Sequence, residues 1–135
     1  MVLDTSALVA ILRGEPERRA FIEAIEDADS RRMSVATFVE ASIVMEARHG
    51  SEGVRDLDRF LAVAGIELVG VDAEQGQIAR SAFSRFGKGR HRAALNYGDC
   101  FSYALARTTG EALLSKGEGF QYTDVALVTG ASDSS

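Results

Sequence analysis

Short apolar runs alternate along this chain with longer segments patterned at helical spacing, and glycine or small polar residues mark most of the changeovers. Residues 2–3 are apolar and run into Asp4-Thr5-Ser6, a cluster suited to opening a helix, which residues 7–13 continue as far as Gly14. Pro16 suits a first helical turn, and Ala20, Phe21, Ile22, Ala24, Ile25 and Ala28 then form one apolar stripe to about Asp29. Residues 33–35 predict a strand, 38–49 a helix stopped by Gly50, and 51–64 a further helix stopped by Gly65. Residues 66–69 with Val71 predict a buried strand that leads into a helix over 73–86. A basic loop over 86–95 precedes a helix over 99–107, which Gly110 ends, and residues 112–115 and 123–128 predict two last strands. Strands separated by helices, with no hairpin dipeptides, place the chain in the α/β class, as a sandwich around a mainly parallel sheet with right-handed crossovers.

The length of 135 residues suits one domain over residues 1–129, and the Ser-rich residues 130–135 read as a disordered tail. With 46% hydrophobic and 26% charged residues and a single proline, the composition is that of a folding chain. The lone Cys100 has no partner for an internal disulfide, no secretory leader opens the sequence, and the apolar runs fall short of the ~20 residues of a membrane helix. The expectation is a soluble cytoplasmic protein. The net charge of −5 argues against a polyanion partner, but its distribution argues otherwise. Residues 75–98 hold Arg80, Arg85, Lys88, Arg90 and Arg92, with His91 beside them and no carboxylate. An acidic body with one basic strip suits a protein that holds cations in one place and a polyanion next to it; a solvated surface is the simpler alternative.

Ligands bind such sheets beyond the carboxyl ends of the strands, where helices begin. Asp4 stands at the first such junction, Glu40 in the first turn of the helix after the second strand, and Asp99 at the start of the helix after the basic loop. Each has a structural reading: Asp4 as an N-cap, Thr37 and Glu40 as a capping box, Asp99 as a favourable charge at a helix N-terminus. Glu40 and Asp99 are nevertheless the only charged residues in 33–45 and 93–106 respectively, segments otherwise patterned for burial. A buried carboxylate needs a cationic partner, either an arginine or a metal ion. Clustered oxygen ligands suit Mg²⁺ or Mn²⁺, whereas Cys100, His49 and His91 lack zinc spacing. No serine stands in a nucleophile elbow, and the glycines of residues 87–98 match neither a P-loop nor a dinucleotide fingerprint.

The opening Met-Val-Leu-Asp-Thr-Ser-Ala, Glu40 within Ser-Val-Ala-Thr-Phe-Val-Glu-Ala, and Leu-Asn-Tyr-Gly-Asp-Cys-Phe-Ser-Tyr-Ala-Leu-Ala around Asp99 resemble the PIN-domain ribonucleases of VapC type. These are the toxin halves of prokaryotic type II toxin-antitoxin pairs. The resemblance runs from Val2 to about Val128 and implies a three-layer α/β/α sandwich. Asp4, Glu40 and Asp99 match the three acidic positions of the motif. The family's usual fourth acidic position falls on Gly117, so that either Glu118 or Asp124 would have to substitute or the fourth ligand is missing.

What the resemblance implies is an endoribonuclease that hydrolyses RNA phosphodiesters with a water activated by Mg²⁺, for which Mn²⁺ can substitute. Asp4 and Asp99 are then metal ligands, Glu40 completes the shell or acts as base, and Thr5 or Ser6 hydrogen-bonds a carboxylate or the phosphate. Arg85, Lys88, Arg90 and Arg92 grip the RNA backbone. A cognate VapB-type antitoxin and a homodimer are the implied partners. The antitoxin would lie against the helices of residues 6–29 and 37–64, which carry more large apolar residues (Leu8, Ile11, Leu12, Phe21, Ile25, Val39, Ile43, Phe60 and Leu61) than one side of a small sheet can readily cover. Two other folds of this class fail. A phosphoryl-accepting receiver needs adjacent carboxylates at the first strand, and a haloacid-dehalogenase-type phosphatase needs an aspartate where Ser6 stands. A catalytically degenerate PIN-like module that binds RNA or protein is the remaining alternative.

Overall fold

The computed structural model describes residues 1–128, so the tail expected over 130–135 and the domain end at 129 lie outside the described residues. Four strands form one parallel sheet in the order β3-β2-β1-β4: β1 (Val2–Leu3), β2 (Arg32–Ser34), β3 (Glu67–Val69) and β4 (Leu113–Leu114). From β1 the chain moves outward through α1 (Thr5–Leu12) and α2 (Arg18–Asp27) to β2, and through α3 (Val35–Ala64) to β3. It then returns through α4 (Ala73–Phe86) and α5 (Tyr97–Thr109) to place β4 on the other side of β1. Because crossovers keep one hand, reversing the direction of travel puts α4 and α5 on the opposite face from α1, α2 and α3.

The pleat distributes the core accordingly. Val2 and Leu113 pack with Ala79, Ala82, Phe86, Tyr103 and Leu105 of α4 and α5, while Leu3 and Leu114 pack with Leu8, Ile11, Phe21, Ile25, Leu57 and Leu61 of α1 to α3. Alternate residues of each short strand thus serve opposite layers, which gives the expected α/β/α sandwich. The reversal also creates a topological switch point between β1 and β4, the place where an open parallel sheet splays its loops apart. Asp4 follows β1 there, and Ser115 follows β4.

Two local expectations are corrected and one is met. The helix after β2 begins at Val35 because Ser34 caps it through Ala36 N at 3.2 Å; Thr37 is therefore no cap, and Glu40 lies in the second turn. Gly50, at φ 64° and ψ −154°, breaks α3 into two arms, as its position at the end of the periodic run foretold, and the second arm runs on to Ala64 without an intervening loop. The strand expected over 123–128 is a single parallel bridge between Leu113 and Leu127, since β4 is only two residues long, and Gly119–Tyr122 forms a 3-10 turn before it. No helix among the described residues is long and apolar enough to cross a membrane.

The layer of α1, α2 and α3 stands on fully enclosed side chains, of which Leu8 is 0% exposed. Leu8→Ala should lower the unfolding free energy by about 2–5 kcal/mol. Urea denaturation followed by circular dichroism measures this, with an unchanged m-value as the sign that only packing was lost.

Candidate active site

Asp4 is nearly inaccessible, at 3% exposure, yet no lysine or arginine pairs with it among the described residues. Hydroxyl and amide groups hold it instead. Ser6 donates to Oδ2 from both Oγ, at 2.8 Å, and N, at 3.2 Å, and Ser102 Oγ donates to Oδ1 at 2.7 Å. Ser102 in turn shares a hydrogen bond of 3.1 Å with Thr37 Oγ1, so that α3 and α5 are tied to the end of β1 through one buried polar chain. Ser6 is fixed from the other strand of the switch point: its Oγ lies 3.0 Å from Ser115 Oγ and accepts from Lys116 N at 2.9 Å. Every group in this network is satisfied by a neighbour, as a buried polar cluster must be.

Glu40 reaches the same region from α3. Thr5 Oγ1 donates to its Oε1 at 2.5 Å, and its carboxylate lies so close to Gly98 that a Cβ at position 98 would collide with it. Gly98 thus admits Glu40 to the first turn of α5, beside Asp99. Asp99 forms a reciprocal capping box with Asn96: its Oδ2 accepts from Asn96 N at 2.9 Å, and its own N donates to Asn96 Oδ1 at 2.8 Å. Burial, and to a lesser degree the charges of Asp4 and Glu40, push the Asp99 carboxyl up to about 6 against the opposing pull of the Asn96 hydrogen bond. The three carboxylates therefore share one electrostatic field. They are not drawn into a closed cage: among the described residues no group of three or more His, Cys, Asp and Glu side chains is arranged as a set of metal ligands.

The structure separates the remaining candidates. Asp124 is held elsewhere: Tyr103 OH donates to Oδ1 at 2.6 Å, and Arg85 and Arg107 lie 3.5 and 4.0 Å from Oδ2. Burial opposes its ionisation, but the Tyr103 hydrogen bond and the two guanidiniums hold its carboxyl below the usual range. Glu118 is exposed in the loop after β4, the loop that Ser115 and Lys116 join to Ser6. Arg85 also sits 4.6 Å over the Phe86 ring, so its partners are Asp124 and Phe86. Lys88, Arg90 and Arg92 are exposed on the loop between α4 and α5, with Arg92 lying 4.3 Å over Tyr122.

Soft ligands are poor candidates here. Burial pushes the Cys100 thiol up to about 11, and His91 Nδ1 already accepts from Ala93 N at 3.0 Å. The residues that the sequence reading missed are Ser102, Thr37, Ser115 and Gly98. Ser102 had a signal, since it lies three residues after Asp99 on the same helical flank, in a segment that is otherwise apolar. Ser115 had none, because only the order of the strands brings it to Ser6.

Asp99 is ionised less readily in the folded than in the unfolded chain, so between about pH 4 and pH 6 the native state binds the extra proton and stability falls as pH rises, levelling off above pH 6. Asp99→Asn should abolish this slope and make the protein more stable at pH 7 than the wild type. Thermal unfolding at pH 4.5, 6 and 7.5 (values spanning that window) reads the effect; a wild-type curve as flat as the variant's contradicts it.

Comparison with known proteins gives the family. The PIN domain family model matches residues 1–126. A protein of Mycolicibacterium smegmatis named Ribonuclease VapC is 56% identical over 128 residues, which cover 95% of this chain and 99% of that one. Among solved structures, Mycobacterium tuberculosis VapC20, described as a toxin that cleaves the sarcin-ricin loop, superposes with a TM-score of 0.76 at 15% identity, covering 94% of this chain and 97% of that one. A toxin-antitoxin complex from Klebsiella pneumoniae superposes with a TM-score of 0.68 at 16% identity, covering 94% and 95%. At these identities the structural likeness speaks to the fold alone, and the 56% relative and the family model carry the assignment: the chain belongs to the PIN-domain family, among the VapC ribonucleases.

Proposed function

We propose that the protein is a divalent-metal-dependent endoribonuclease, the toxin of a type II toxin-antitoxin pair, which hydrolyses RNA phosphodiesters. The observation that carries this reading is a shared field of three carboxylates, Asp4, Glu40 and Asp99, that no cationic side chain neutralises among the described residues. An all-oxygen donor set fits Mg²⁺ or Mn²⁺, and Asp4 and Asp99 would hold the ion, with Glu40 beside them. The chemistry that such a cation supplies when bound is neutralisation of charge on the scissile phosphate and a more acidic attacking water.

The chain's own residues do the rest. Ser6 and Ser102 orient both oxygens of Asp4, so the carboxylate needs little reorganisation on meeting a cation. Asn96 occupies one oxygen of Asp99 and leaves the other for a ligand. Glu40, steadied by Thr5, accepts the proton of the attacking water. Lys88, Arg90 and Arg92 hold the RNA backbone. Asp124 belongs to its arginines, so the fourth position is either taken by the exposed Glu118 or left without an acidic residue.

A VapB-type antitoxin and a second copy of the chain complete the proposed assembly, in the cytoplasm. Leu8, Ile11, Phe21, Ile25 and Leu61 are buried and so do not invite a partner, which corrects the broad docking face drawn from the sequence. Val39 and Ile43 remain 48% and 63% exposed and edge a groove of about 210 Å³ with Phe38, Ser42, Glu46 and Val54. A partner helix seated there lies along the helix that bears Glu40, and an arginine from its flank can reach the carboxylates.

RNA cleavage should vanish in EDTA and return with Mg²⁺ or Mn²⁺, and Asp4→Asn or Asp99→Asn should lower the rate by at least about a hundredfold. Undiminished cutting in chelator refutes the metal-dependent mechanism. Co-expression with the product of the adjacent antitoxin gene should yield a stable complex without ribonuclease activity, and Ile43→Glu should release active enzyme. A complex that survives Ile43→Glu moves the antitoxin away from α3.

A further inference from the structure

The loop that follows β4 is joined to the region of α1 at two points. At one, its backbone meets the polar chain that holds Asp4: Lys116 N donates to Ser6 Oγ at 2.9 Å, Gly117 N donates to Ser115 Oγ at 3.1 Å, and Ser115 Oγ lies 3.0 Å from Ser6 Oγ. An ionised carboxylate can only accept and a backbone N–H can only donate, so the single hydroxyl proton of Ser6 goes to Asp4 and Ser115 gives its own to Ser6. The donors of residues 115–117 are thereby ordered towards Asp4. At the other point the Lys116 ammonium crosses to the turn between α1 and α2, where it donates to Glu15 Oε1 and lies 3.6 Å from Glu17 Oε1. Glu17 Oε1 is buried without a hydrogen-bond partner among the described residues, and Lys116 is the cation that faces it. The turn is a firm support: Pro16 separates the two glutamates, Glu15 N donates to Ala10 O at 2.9 Å, and Arg13 Nη1 lies 3.4 Å from Glu15 Oε2.

We infer that Lys116 is a positioning residue for Asp4: its ammonium, anchored on Glu15 and Glu17, holds residues 115–117 where they fix the Ser6 hydroxyl on the Asp4 carboxylate. The inference rests on the metal-dependent reading of the site and adds to it a residue that touches neither the ion nor RNA. Two features distinguish this from an ordinary surface ion pair. The ammonium and the backbone N–H of one residue are engaged at opposite ends of α1, so release of the side chain frees the loop that bonds Ser6. The two glutamates also hold the ammonium away from Asp4, which no lysine or arginine neutralises among the described residues. The roles differ in sign. Removing a positive charge from the neighbourhood of a cation site tightens metal binding by Coulomb attraction alone, whereas loss of positioning weakens it.

The test uses the full chain and Mn²⁺ alone, with affinity read by titration calorimetry. Lys116→Met keeps an unbranched apolar stem and removes the charge. It should weaken Mn²⁺ binding by roughly tenfold, the lower end of what supporting residues of metal ligands contribute, and Lys116→Arg should restore most of it. Glu15→Gln with Glu17→Gln frees the anchor from the other side and should reproduce the loss. In a Ser6→Ala background Lys116→Met should have no further effect, because the path to Asp4 is already cut. RNA cleavage by Lys116→Met should recover as Mn²⁺ is raised, while the melting temperature of the metal-free protein changes little, since exposed ion pairs contribute little to stability. If Lys116→Met binds Mn²⁺ as tightly as the wild type, or more tightly, the positioning role is refuted, and a wild type that cuts RNA with Mg²⁺ keeps the nuclease reading. An equal loss with and without the Ser6 hydroxyl shows that Lys116 does not act through it, and refutes the role as well. A large fall in melting temperature in both Lys116→Met and the glutamate pair makes the contact a folding element and overturns the proposal. If the wild type neither binds Mn²⁺ nor cuts RNA, the metal-dependent reading fails, and the positioning role with it.

Discussion

The Asp4 carboxylate, almost without access to water, is held at both oxygens by hydroxyl groups rather than by a positive charge. Neutral donors satisfy the oxygens but do not cancel the charge, and the remainder of the structure can be understood from that imbalance. Ser6 comes from the helix that Asp4 itself caps, Ser102 from α5, and Thr37 and Ser115 back them from α3 and the loop after β4. Four separate stretches of chain therefore meet on one aspartate, and a shift in any of the three helices or in β4 is felt there. Hydroxyls also leave the site open to a cation in a way that a buried arginine would not, since an ion pair costs desolvation at both partners and then blocks the carboxylate.

Asp99 and Glu40 are placed by different means. Asp99 is placed by a capping box with Asn96, and the bond that opens the helix also fixes the carboxylate. Glu40 depends on an absence, the missing side chain of Gly98. Burial at the helix entry, and to a lesser degree the charges of Asp4 and Glu40, raise the Asp99 carboxyl to about 6. Such a carboxyl holds its proton to a higher pH in the folded chain, which links stability to pH through this residue.

The basic residues at the end of α4, in the loop after it and in α5 divide into two sets. Arg85 and Arg107 are spent on Asp124, and this cluster, with Tyr103, ties the segment after β4 to the α4 and α5 layer. Lys88, Arg90 and Arg92 face solvent on the loop that leads directly to Asn96 and Asp99. One run of like charges in the sequence thus gives Arg85 to internal cohesion and leaves Lys88, Arg90 and Arg92 to solvent. An acidic net charge is compatible with an RNA substrate because the acidic excess lies outside residues 75–98.

Much of this was legible along the chain. The alternation of apolar runs and helical stripes determined the α/β class, the parallel sheet and most of the helix limits, because burial periodicity and glycine or hydroxyl stops act locally. The isolation of Glu40 and Asp99 in apolar segments, and the motif around each, singled out the acidic triplet for the same reason: a charge in a buried segment is conspicuous in one dimension. What the tertiary structure decided are the relations between distant segments. Whether Thr37 caps its helix or bonds Ser102, whether Asp124 joins the carboxylates or the arginines, and which apolar helix residues turn inward depend on the order β3-β2-β1-β4. That order puts β4 beside β1, brings Ser115 to Ser6 and sends Asp124 to Tyr103, and no local propensity encodes it, because strand neighbours are chosen by the packing of whole helices on the two faces of the sheet.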